Sequence, residues 1–298
     1  MIDFKSHTLS NGLKVIVHED HSTPLVNVNI LYKVGARDED PSKTGFAHLF
    51  EHLMFGGSVN IPDYDGPLQV AGGDNNAFTN NDITNYYETL PATNIETAFW
   101  LESDRMMSLA FTDKSLEVQR SVVIEEFKQR YLNQPYGDVW LLLRPLAYKV
   151  HPYQWATIGK EVAHIENATM DDVKEFFFRF YCPDNAIMTV AGNVNSENVF
   201  ELAEKWFGEI KRKIAPRVPY KAEPVQTEAR SLTVERDIPF DSIYMAYHCC
   251  SRLDPEFYAV DLLTDILSRG RSSRLYNSLL KEKKLFTEIN AYQTSDFD

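Results

Sequence analysis

At 298 residues, 44% of them hydrophobic and 24% charged, the chain has the profile of a folded globular protein of about two domains. The formal net charge of −13 argues against a nucleic-acid partner, which would call for a basic face, and no apolar run approaches the roughly 20 residues needed to span a membrane. The N-terminal stretch has no apolar segment that could act as a secretory signal, and three cysteines (Cys182, Cys249 and Cys250) form neither a disulfide framework nor a zinc ribbon, so we expect a cytoplasmic protein with buried thiols.

In chain order, residues 13–18 and 25–34 are rich in β-branched residues and partly alternate, which predicts strands, with Asn11-Gly12 as a hairpin signal upstream. Residues 35–44 are polar, contain Pro41 and form a loop. A helix is expected from about Thr44 to Phe55, stopped by Gly56-Gly57. Residues 75–90 predict a strand pair interrupted at Asn80-Asn81-Asp82. Helices are expected over 91–109 and 113–132, the second opening on Asp113 as cap. A further helix follows Thr169 as cap, then a strand over 186–191 and a helix over 198–206.

Between about Lys211 and Pro224 the pattern changes, with three prolines among Lys and Arg and no apolar periodicity, as in a linker. Beyond it, 231–236 and 242–248 predict strands, 255–268 and 272–283 helices, and a last strand starts near Leu285. This repeats the earlier order of elements and suggests a degenerate duplication, in which Leu262, Asp265 and Ile266 stand where His48, Glu51 and His52 stand in the first copy.

On a helix, residues four apart are neighbours, so His48 and His52 present two imidazoles side by side, suited to two corners of a zinc tetrahedron. Glu51 projects towards the same face. It can hold the metal-bound water, whose pKa zinc lowers from about 15.7 to roughly 7, and accept its proton. HxxEH is the inverted zincin pattern, only suggestive on its own. Phe46, Ala47, Leu49, Phe50, Leu53, Met54 and Phe55 make the helix apolar nearly all round, so its polar groups need partners, which a metal supplies. The alternative is a pair of hydrogen-bonded core histidines with Glu51 salt-bridged nearby. For a third ligand, the apolar face defined by Leu116, Val123, Phe127 and Tyr131 favours Glu126 over Glu125.

The run Gly45-Phe46-Ala47-His48-Leu49-Phe50-Glu51-His52-Leu53-Met54-Phe55-Gly56-Gly57-Ser58 closely resembles the metal-binding helix of the pitrilysin, insulinase and mitochondrial processing peptidase family. Asn76-Ala77-Phe78-Thr79 is similar to that family's substrate-binding edge strand, 120–126 to its third-ligand helix, and 6–17 to its opening hairpin. Residues 254–258 and 272–276 resemble the start of its second, inactive half. The resemblance implies an α+β processing-peptidase-like fold with a mixed, largely antiparallel sheet covered by helices. The metal-binding half would span 1–212, a linker 213–230, and an incomplete, metal-free second half 231–298. It further implies a zinc endopeptidase acting on extended peptides, with one Zn2+ per chain on His48, His52 and Glu126, Glu51 as general base, and Asn76, Ala77, Phe78 and Thr79 binding substrate.

Two departures from the family pattern matter. Gln119 stands where members often have a glutamate, which predicts an altered outer shell around the metal ligands rather than a lost metal. The chain also stops at Asp298, before the family's carbonyl-polarising arginine and tyrosine. We therefore expect a truncated chain, or a subunit completed by a second copy or a partner supplying the missing half. The rival reading is a catalytically incomplete peptide-binding or partner subunit of a two-chain peptidase. Neither a P-loop nor a G-x-S-x-G elbow is present.

Overall fold

In the computed structural model, which describes residues 2–211, 213–217 and 219–298, the alternating segments of the first part join one six-stranded sheet. Its strands are β1 (Lys5–Thr8), β2 (Lys14–Glu19), β3 (Leu25–Tyr32), β4 (Asp74–Thr79), β5 (Thr84–Pro91) and β6 (Ala186–Gly192), in the order β1-β2-β6-β3-β5-β4. β2 and β6 run parallel and every other pair antiparallel. The expected α+β class and largely antiparallel sheet are what the structure shows. Nine α-helices accompany it among the described residues: α1 (Phe46–Leu53), α2 (Asp65–Val70), α3 (Ile95–Ser108), α4 (Asp113–Phe127), α5 (Val139–Ala147), α6 (Val162–Glu166), α7 (Met170–Phe180), α8 (Ser196–Phe207) and α9 (Phe257–Ser268).

Period-two alternation puts Val15, Val17, Val28, Ile30, Tyr32, Tyr86, Met188 and Val190 on one buried face of the sheet. α3 packs on β3 and β5, α8 on β2, and α1 on β4 and β5, with α4 against α1. Phe50 of α1 stacks on Phe176 and Tyr181, with both ring centroids 5.1 Å away. Burying a ring of this size stabilises the fold by roughly 1.5–3 kcal/mol. The cap of α7 is Thr169, as expected, but α4 is capped by Thr112, whose hydroxyl accepts from the Ser115 N–H at 3.0 Å, and not by Asp113. Asp113 is the first helical residue, where its charge favours the positive helix end.

A buried ionic group ties α3 to β5. Arg105 pairs with Glu102 and stacks over Tyr64 (4.4 Å) and Tyr86 (4.5 Å), while the Tyr64 hydroxyl contacts both Glu102 and Glu88. Pairing and hydrogen bonding keep this charge tolerable in the core. Glu88 lies opposite Asn75 of β4 in the ladder.

Past α8 the chain runs on without regular structure. The described residues from 213 onward carry no strand or helix until α9, yet the segment is pinned along the first part of the fold. The Ile214 N–H donates to Asp184, Arg217 pairs with Asp38, and the Tyr220 hydroxyl donates to Asp38 at 2.6 Å. The Glu223 carboxylate accepts from the N–H groups of Lys149, Val150 and His151 at 2.7–2.9 Å. Arg230 donates to the carbonyl of Leu146, and Arg236 pairs with Asp138. The boundary expected at 212/213 falls on Arg212, outside the described residues. The strands expected over 231–236, 242–248 and from Leu285 do not form, because a strand needs a ladder partner and none pairs with them among the described residues. Cys182 is buried, whereas Cys249 is exposed and Cys250 half-buried, which corrects the expectation of buried thiols at both of these positions.

Contacts group residues up to Tyr244 into one unit and Met245–Asp298 into a second. Within the second unit, α9 is followed by a wide π-type turn over Tyr276–Glu282. Ser268 bonds to both backbone groups of Ala291, and the Gln293 amide donates to the Phe257 carbonyl. No helix among the described residues is long and apolar enough to cross a membrane.

Candidate metal centre

Helix α1 begins where Gly45, at φ +91°, turns the chain through the left-handed region. A Cβ there would lie 2.7 Å from the Ile158 carbonyl oxygen and 2.8 Å from Ile165 Cδ1, so both conformation and space require glycine. The apolar residues Phe46, Ala47, Leu49, Phe50 and Leu53 bury the helix against sheet, α4 and α7. One flank remains for the polar residues.

On that flank the His48 and His52 rings meet edge to face, 4.9 Å between centroids. Glu126 reaches them from α4, its Oε2 standing 3.5 Å from His48 Nε2 and 3.4 Å from His52 Nε2. Among the described residues these three form the one group of His, Cys, Asp or Glu side chains whose ligand atoms all lie within 4.8 Å of one another. Their side chains are 12%, 25% and 17% exposed, sheltered but open on one side.

Burial pushes the His48 imidazole down to about 4, which keeps it neutral, the form that can ligate. Glu126 is held below the usual carboxylate range, first by its hydrogen bond to His52, which outweighs its partial burial, with the Arg130 guanidinium adding to the effect. Arg130, one turn on, pairs with the other carboxylate oxygen at 2.8 Å. Two imidazoles and one anionic carboxylate, converging from two helices, fit a zinc ion with an open fourth position. Glu51 lies on the same side of α1, half-buried. Burial raises its pKa, opposed by the neighbouring Thr79 hydroxyl and His52.

The structure separates the two candidate carboxylates of α4 as helical periodicity requires. Glu125 is exposed and pairs with Lys128, while Glu126 turns to the histidines. Gln119 is half-buried two turns before Glu126 on the same helix. Asn76, Ala77, Phe78 and Thr79 all lie in β4, the last strand of the sheet, next to α1. The Ala77 N–H bonds to the Asn76 side-chain oxygen at 2.8 Å, and Phe78 is 45% exposed.

Two participants escaped the sequence reading. Arg130 was signalled only by its i,i+4 spacing from Glu126. Glu39 sits in a stretch read as polar loop, yet it is buried, its carboxylate accepting the Gly45 and Ala47 N–H groups at 2.8 Å each. Burial pushes that carboxyl up to about 8 against the pull of the two N–H bonds. The only hint was a helix start with glycine where a capping side chain is usual.

Residues 14–148 match the family described as Insulinase (Peptidase family M16), and residues 167–298 match the Peptidase M16 inactive domain. The chain is 36% identical over 291 residues to the zinc protease PqqE of Helicobacter pylori, covering 95% of this chain and 65% of that protein's length. It is 25% identical to the uncharacterized zinc protease YmxG of Bacillus subtilis, covering 98% of this chain and 70% of the relative. The crystal structure of a protease from Helicobacter pylori superposes with a TM-score of 0.90 at 33% identity, over all of this chain and 73% of that one.

Proposed function

The chain belongs to the insulinase (M16) family of peptidases, and on that footing we propose that it is the metal-binding part of a zinc-dependent metalloendopeptidase that cleaves extended peptides. The observation that carries this reading is the triangle of His48, His52 and Glu126, closed from two helices beside the free edge of β4. One zinc ion per chain, held by these three side chains, would supply Lewis acidity and a water acidified towards neutrality. Arg130 keeps the Glu126 carboxylate ionised and oriented. Glu51 is the general base, accepting a proton at its carboxylate and returning it to the leaving amine. Gln119 adjusts the surroundings of the ligands from two turns away on α4.

Asn76, Ala77, Phe78 and Thr79 bind the peptide by strand addition, in which backbone groups at the open edge pair with an extended ligand. Residues 1–212 form the metal-binding half in this reading, 213–230 connect, and 231–298 begin a metal-free second half. A cytoplasmic location remains part of the proposal.

A second reading, consistent with the match of residues 167–298 to the Peptidase M16 inactive domain, is a peptide-binding subunit that acts only with a second copy or a partner chain. One experiment addresses both. Zinc content and cleavage of a quenched fluorescent peptide are measured for the parent and Glu51→Gln, each alone and with a full-length relative. The proposal expects one zinc in both proteins and a loss of about 10²–10⁴ in turnover for the variant. Absence of zinc from the parent, or equal turnover by Glu51→Gln, sinks it. Zinc and peptide binding with turnover only in the mixture selects the second reading.

A further inference from the structure

The metal helix starts without a cap of its own. An α-helix leaves the N–H groups of its first turn without intrahelical partners, and the side chain at the N-cap normally takes one of them. Here that position is Gly45, which has no side chain. Glu39, six residues earlier, takes two: Oε2 accepts the N–H of Gly45 and Oε1 that of Ala47. The turn that leads into Glu39, Ala36–Asp38, is itself held from several sides. The Trp155 indole N–H donates to the Ala36 carbonyl at 2.8 Å, the Gly35 N–H donates to Asp38, and the pinned segment reaches Asp38 through Arg217 and Tyr220. The carboxylate is thus a fixed point against which the first turn of α1 is set.

That turn carries His48, directly after Ala47. A ligating histidine usually owes its ring orientation to its second nitrogen, which donates to a carboxylate or carbonyl. His48 lacks this support among the described residues, since its Nδ1 is buried with no hydrogen-bond partner. The position of its Nε2 therefore follows from packing and from where the backbone of α1 begins.

We propose that Glu39 is a positioning residue of the metal centre, fixing through the Gly45 and Ala47 amides the place of His48 relative to His52 and Glu126. Glu39 meets the helix at its backbone and acts through it. The proposal rests on the reading that these three side chains bind zinc, and it extends that reading to a residue outside the ligand set. A cap that served only the stability of the fold would leave zinc affinity alone, whereas a positioning cap must not.

The test is the zinc dissociation constant of the full chain, read by competition with a chromogenic chelator at one fixed pH for all variants. Glu39→Gln is nearly isosteric but offers a donor where one of the two N–H groups needs an acceptor. It should weaken zinc by about 10–100-fold, the range for outer-shell partners of metal ligands. Glu39→Asp, too short to reach both amides, should fall between and carries the test should the glutamine variant not fold. Asn195→Ala removes the side-chain cap of α8 and is the stability control, expected to lower the melting temperature while leaving zinc affinity within about twofold. Unchanged affinity in the Glu39 variants overturns the proposal, as does an equal loss in Asn195→Ala. A parent that binds no zinc, with Glu126→Ala indistinguishable from it, overturns the underlying reading and this inference together.

Discussion

Glu125 and Glu126 differ by one position and about 100° of helix rotation, and that rotation decides which of them can meet the histidines. The distinction was legible in the sequence because Leu116, Val123 and Phe127, all buried, mark the inner face of α4. Glu39 was not legible, since its partners are backbone amides and backbone amides leave no trace in residue types. Glu19 at the end of β2 is a similar case. It accepts the Ser196 N–H at 2.8 Å and the Ser196 hydroxyl at 2.5 Å at the start of α8. These bonds, the hydroxyl first, hold its carboxyl down at about 2. A depressed folded-state pKa gives a stabilising contribution that is complete above the unfolded value, near 4.3, and is lost as pH falls towards 2. Glu19→Gln should therefore lower the urea midpoint at pH 6 and converge with the parent near pH 2. A gap between the two proteins that persists or widens at pH 2 would contradict this assignment.

At the scale of elements, strong periodicity was read correctly and weak periodicity was not. β2, β3, β5, β6, α3, α4, α7 and α8 all lie where alternation or a 3.6-residue period placed them, within a few residues. α2 and α6 are too short to show a period, and α5 contains Pro145 in an almost continuous apolar run. The strands expected over 231–236 and 242–248 failed for a different reason. Propensity describes one chain segment, whereas a strand exists only beside another. The open edge of β4 makes the complementary point, and it carries a prediction. The Ala77 N–H is turned to the Asn76 side chain, not to β5, so proline at this position removes a donor from the free edge without breaking the ladder. Ala77→Pro should weaken binding of an extended peptide by about 3–10-fold, the loss of roughly one backbone hydrogen bond, and leave zinc content unchanged. Undiminished peptide affinity in fluorescence anisotropy would remove β4 as the docking edge.

For the molecule as a whole, the metal should stabilise one unit and not the other, because His48, His52 and Glu126 all belong to the unit that ends at Tyr244. Free zinc at 100 times its dissociation constant would add about 2.7 kcal/mol to that unit alone. Hydrogen exchange with and without a chelator should show protection gained over α1 and α4 and no change over 245–298; equal gains in both units would place the metal elsewhere. What the sequence by itself determined is the local chemistry: the two histidines and the glutamate of one helix turn, the inward side of α4, and the alternation that builds the sheet. All of these follow from periods of two and 3.6 residues. Only the tertiary structure decided that β6 enters the sheet between β2 and β3, that β4 is left as its edge, and that Glu39 reaches the start of α1. It also decided that the proline-rich stretch after α8 is pinned by Glu223, Arg230 and Arg236. Those outcomes depend on which segments meet across long separations, and a hydrogen bond to a backbone group specifies no partner in the sequence.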